Sequence, residues 1–121
     1  MELMRKILFA IEEQFEPGAG TIHNINVGSF SLLDVAEHCS LLYQAGLISN
    51  YKPLRGDNTI MDFGIGNLTN QGYDYLELIR NDDTWKKTKE KVKENKLPET
   101  IESYGKVAAS ILGTFLREFN R

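Results

Sequence analysis

The chain of 121 residues has one cysteine, two histidines, one tryptophan and three prolines. A lone thiol, Cys39, makes no internal disulfide, so the reading expects a reducing, cytoplasmic setting. His23, His38 and Cys39 lack the spacing of a zinc site, so no metal and no cofactor are expected. No apolar run approaches the length needed to cross a membrane. The segment Ile7 to Ile11 is also too short for the core of a signal peptide. An excess of cations is missing as well: the net charge is −3, which gives no global attraction toward nucleic acid. Internal repeats and low-complexity tracts are absent. Apolar residues make up 41% and charged residues 26%, the balance of a folded domain.

What is present is helical and hairpin patterning. Met4, Ile7, Leu8, Ile11 and Phe15 form a helical stripe that Pro17-Gly18-Ala19-Gly20 stops. Residues 21–27 read as a short strand carrying Ile22, Ile25 and Val27. Ser31 is an N-cap with Asp34 three residues on, and Phe30 and Val35 take the places of a hydrophobic staple. The core stripe of this second helix is Leu32, Val35, Ala36, Cys39, Leu42 and Tyr43, and Gly46 ends it in the left-handed conformation. Residues 47–55 and 59–66 predict two strands around an Arg55-Gly56-Asp57-Asn58 turn, with Pro53 marking an edge or a bulge. Gly64 and Gly66 are expected to end the second strand. Thr69 caps a helix through Asn81, with Leu68 and Tyr73 as its staple. Asp82 and Asp83 cap a further helix through Asn95. Pro98 is placed at N1 of a last helix whose stripe is Ile101, Tyr104, Ala108, Ile111, Leu112, Phe115 and Phe119.

The run His38-Cys39-Ser40-Leu41-Leu42-Tyr43-Gln44-Ala45-Gly46-Leu47-Ile48 resembles a winged-helix recognition helix entering its wing. Leu68 to Leu76, with Ile79 to Lys87, is similar to a family of small bacterial and phage proteins known as a domain of unknown function. The resemblance covers residues 3–96. It implies an α+β winged-helix-like core over 1–81, with a C-terminal helical extension over 82–121 packed on the same domain. It carries over no activity. One departure stands out, because no separate helix precedes Ser31 where a full helix-turn-helix has one.

Charge decides between the function classes. The outward arc of the second helix holds Leu33, Asp34, Glu37, His38, Ser40, Leu41 and Gln44, without Lys or Arg. Over residues 31–72, Lys52 and Arg55 stand against Asp34, Glu37, Asp57 and Asp62. Carboxylates repel the phosphates that supply most non-specific affinity for DNA. The expectation is therefore a non-enzymatic protein-interaction and oligomerisation module, phage- or prophage-related, whose partner, of unknown identity, meets Leu33, Glu37, Leu41 and Gln44. The competing view of those leucines is that another helix covers them. The alternative function is a DNA-binding regulator using the wing residues Lys52 and Arg55 with Lys87, Lys91 and Lys93. These last three belong to a stretch, residues 85–96, that holds six lysines and two glutamates around a seam of Trp85, Thr88 and Val92. Gly105, Ala109 and Gly113 recur every four residues, a spacing that lets a second helix approach closely in a homodimer or within the chain. No catalytic set emerges, since His38 and Cys39 point about 100° apart on a helix.

Overall fold

The computed structural model describes residues 1–18 and 20–119, with side chains up to residue 113. The expected Phe115 and Phe119 side chains lie outside the described residues. Five helices and a three-stranded antiparallel sheet follow in the order α1 (Glu2–Gln14), β1 (Ile22–His23), α2 (Leu32–Gln44), β2 (Tyr51–Gly56), β3 (Thr59–Ile65), α3 (Asn70–Ile79), α4 (Asp82–Glu94) and α5 (Ile101–Phe119). The fold class is α+β with a hairpin wing, and no helix separates His23 from Ser31. The chain divides into two compact units, Glu2–Tyr73 and a second from Asp74 onward, so the division falls within α3.

In the first unit the apolar stripe of α1 is fully buried at Ile7, Leu8 and Ile11. It packs on α2, whose Val35, Ala36, Cys39 and Leu42 are buried. Each buried Val, Leu or Ile among these contributes about 1.5–3 kcal/mol by leaving water. The α2 start is as expected: the Ser31 hydroxyl accepts from the Asp34 N–H at 3.1 Å. Gly46 follows the helix at φ +78, the left-handed position that glycine tolerates without strain. Leu32 and Tyr43 depart from the expected core stripe and are exposed. They are the first and last residues of that stripe, and exposure is confined to them, since Val35, Ala36, Cys39 and Leu42 are buried. Phe30 and Tyr73, one half of each expected staple, are exposed too.

The sheet order is β1-β3-β2, which makes β2 an edge strand, as Pro53 requires. Asp57 and Asn58 both take positive φ at the tip, so the turn is built by residues that tolerate it. The expected strand over 21–27 shrinks to two paired residues, because Asn24 turns the chain away at φ 46. Its side chain then continues the pairing: Oδ1 accepts from the Phe63 N–H at 2.9 Å and Nδ2 donates to Asp62 at 2.7 Å. Gly64 does not end β3. It pairs with His23 on one side and Lys52 on the other, and a Cβ there would meet Thr21 at 2.8 Å. At the β3–α3 junction, Thr69 accepts from the Gly72 N–H at 3.0 Å and donates to the Gly46 carbonyl at 2.6 Å. One hydroxyl thus caps α3 and holds the end of α2.

In the second unit α4 and α5 pack through Trp85, Thr88, Val92, Tyr104 and Ala108, all buried. Thr88 satisfies its hydroxyl inside α4 by donating to the Thr84 carbonyl at 2.7 Å. The N-cap of α4 is Asn81, whose side chain accepts from the Asp83 and Thr84 N–H groups. Asp82 and Asp83 therefore sit in the first turn and Lys91 and Lys93 in the last, both favourable to the helix dipole. Pro98 precedes α5 instead of occupying N1, and Thr100 caps that helix by accepting from the Ser103 N–H at 3.1 Å. Tyr75 donates its hydroxyl to the Ile101 carbonyl at 2.8 Å. Burial, aided by Tyr104, raises its pKa.

Candidate functional site: the α2 face and the hairpin cleft

The period of an α-helix places Leu33, Glu37, Leu41 and Gln44 along one side of α2. All four are exposed, Leu33 at 41% and Leu41 at 49%. Gln44 donates to the Ser40 hydroxyl at 3.1 Å, which steadies the C-terminal turn of this face. His38 spends Nδ1 on the Asp34 carbonyl at 2.8 Å.

The inner face of the hairpin lies opposite. The residues Leu33, Glu37, Ser40, Tyr51, Arg55, Asn58, Thr59 and Ile60 enclose an open hollow of about 270 Å³. A β-bulge shapes it. The register shifts between Leu54 and Arg55, so that Leu54 pairs with Asp62 but Arg55 pairs with Ile60. Without the shift, strand alternation would put Met61 on the same face as Phe63 and Ile65. With it, Ile60 turns inward at 8% exposure and Met61 outward at 61%. Burial raises the Tyr51 phenol above its usual range, the Arg55 guanidinium pulls the other way, and Cys39 and Glu37 add to the rise. Tyr51 is thus within the electrostatic reach of both charges that line the hollow.

The structure brings the interface candidates Leu33 and Glu37 together with Arg55, which the sequence assigned to the DNA alternative. Lys52 is also exposed on β2. Lys87, Lys91 and Lys93 are exposed on α4, in the other unit. Sequence reasoning missed Tyr51, Asn58, Thr59 and Ile60. Alternation from Pro53 could have placed Tyr51 and Arg55 on one face, and Pro53 marked an edge or a bulge, but not which residue of the facing strand the bulge at Leu54 and Arg55 turns inward. Of the small-residue stripe, Gly105 is occupied within the chain: a Cβ there would meet the Tyr75 ring at 3.0 Å. Ala109 is exposed, and a Cβ at Gly113 would meet nothing within 4 Å.

Cys39 lies in the core behind this face, and burial pushes its thiol from 9.0 up to about 12. The thiolate is the reactive form, so the native protein should resist iodoacetamide at about pH 8 and react only once unfolded. The sign of the pH effect follows. The folded pKa is above the unfolded one, so the stabilisation is complete below pH 9 and is lost as pH rises toward 12. Rapid native labelling, measured by mass, would contradict the buried placement.

Among the described residues no group of three His, Cys, Asp or Glu side chains could hold a metal ion. No described helix is long and apolar enough to cross a membrane. The family model described as Hypothetical protein (DUF2513) matches residues 1–98. A Haemophilus influenzae protein, described as an uncharacterized protein, is 32% identical over 117 residues, covering 95% of each chain. No solved structure matches the chain. With four-fifths of its length matched by that model, the chain belongs to the DUF2513 family of hypothetical proteins.

Proposed function

We propose that this chain is a non-catalytic docking module of the winged-helix type, and that the exposed face of α2 receives a protein partner. The observation that carries the reading is the exposure of Leu33 and Leu41 beside Glu37 and Gln44, on a helix without a single cation. Apolar side chains held in water gain about 25 cal/mol for each Å² that a partner covers. Phosphates gain nothing from the same surface, because Asp34 and Glu37 repel them. The wing and α2 also present a concave, mixed surface, which suits an irregular protein partner. Self-association through α5 would use Ala109 and Gly113, since Gly105 already meets Tyr75 of its own chain.

The competing reading holds duplex DNA with Lys52, Arg55, Lys87, Lys91 and Lys93. What favours it is that all five are exposed. Affinity capture from the native host separates the two. The wild-type chain should retain a discrete protein after nuclease treatment. Leu33→Asp with Leu41→Asp should lose it while stability stays within about 0.5 kcal/mol, as for surface substitutions generally. Capture that survives the double substitution, or that vanishes with nuclease, overturns the docking reading.

A further inference from the structure

The hollow between α2 and the hairpin holds two opposite charges that do not pair. Glu37 enters from α2 and Arg55 from β2. Among the described residues neither makes a hydrogen bond or an ion pair, although both act on Tyr51. The Tyr51 hydroxyl and the Asn58 amide likewise have no hydrogen-bond partner among the described residues. Leu33 and the inward-turned Ile60 supply apolar wall. The volume of about 270 Å³ lies just under the range of drug-sized sites, so an occupant is small.

We propose that this hollow is a binding site for a small zwitterion, an α-amino acid with an apolar side chain. The ammonium meets Glu37, the carboxylate meets Arg55, and the side chain lies against Leu33 and Ile60. The unpaired charges are what select this class. A simple cation would satisfy Glu37 and face Arg55, and a simple anion would do the reverse. A ligand with both signs a few bonds apart complements both. The Ser40 and Tyr51 hydroxyls and the Asn58 amide can donate to the carboxylate or accept from the ammonium. The bulge has a role here too, because it exchanges flexible Met61 for branched Ile60 on the inner wall. The inference does not depend on the docking reading, since the ligand binds the free chain.

The test is a titration of the isotope-labelled full chain, followed by amide NMR. The probes are L-leucine, isocaproate, which keeps only the carboxylate, and isopentylamine, which keeps only the amine. L-leucine at millimolar concentration should give saturable shifts at Leu33, Glu37, Ser40, Tyr51 and Arg55. Each single-charge analogue should bind roughly tenfold more weakly, the scale of one lost charged hydrogen bond. In Arg55→Gln, L-leucine should bind no better than isopentylamine, and in Glu37→Gln no better than isocaproate. Both residues are exposed, and a dispersed spectrum verifies that each variant is folded. Absence of shifts with L-leucine overturns the proposal. So do shifts that are equal for all three probes or unaltered in both variants.

Discussion

Replacing Gly72 by alanine should destabilise the protein by about 2–3 kcal/mol, the scale of overpacking at a site that cannot yield. Intrinsic propensity predicts the opposite, since alanine inside a helix is favoured over glycine by about 1 kcal/mol. Packing decides the sign. Gly72 lies in the first turn of α3, and a Cβ there would collide with the backbone carbonyl of Leu47 and meet the Leu68 Cβ at 3.3 Å. The Leu47 carbonyl cannot move aside, because it accepts from the Thr69 N–H at 3.0 Å. Thr69 in turn fixes Gly46. The collision therefore strikes the joint that holds α2 against the hairpin. Gly113→Ala is the control: a Cβ there has open space, so that variant should keep or gain stability. Thermal denaturation reads both, and about 1 kcal/mol corresponds to roughly 3–6 °C in a domain of this size. A Gly72→Ala protein as stable as wild type would mean that α3 does not sit against Leu47 as described.

Trp85→Ala should cost about 3–5 kcal/mol in the second unit, as large aromatic truncations do in packed interiors. The reason lies in how little else α4 buries. Its inward seam is Thr84, Trp85, Thr88 and Val92, and two of these are threonines. Trp85 supplies most of the apolar area, with its ring centroid 5.3 Å from that of Tyr104. The Lys89 ammonium lies over the same indole at 5.8 Å. Hydrogen exchange should show α4 and α5 losing protection together, while Trp85→Phe keeps most of it. A loss below about 1 kcal/mol would indicate that the α4–α5 contact is held elsewhere.

The elements that local chemistry specifies were legible in the sequence. Ser31, Gly46, Thr69 and the Asp57-Asn58 tip each mark a boundary through a property of the residue itself, a hydroxyl acceptor or tolerance of positive φ. The Trp85, Thr88 and Val92 seam is likewise a matter of helical period alone. The misreadings share a different cause. Leu32 and Tyr43 satisfy the period of α2 yet are exposed at the two ends of its stripe, which the period alone does not reveal. Asn81 outcompetes Asp82 as the cap, one residue earlier than the acidic pair suggests. Gly64 looks like a strand terminator until β1 and β2 close on it from both sides. The exposure of Leu33, Glu37, Leu41 and Gln44 was readable, because it needs only the helical period, whereas Leu32 and Tyr43 were assigned to the wrong side. The hollow was not readable, because it needs the bulge at Leu54 and Arg55, a relation between two strands.

The face of α2, where a winged helix would grip a polyanion, repels one here. Amide NMR of the full chain titrated with duplex DNA at low salt tests it most directly, since weak electrostatic binding is strongest there. No saturable shift is expected at Leu33, Glu37, Ser40, Leu41 or Gln44, even if the lysines of α4 respond. Saturable, salt-sensitive shifts along α2 that Lys52→Gln with Arg55→Gln weakens would contradict it.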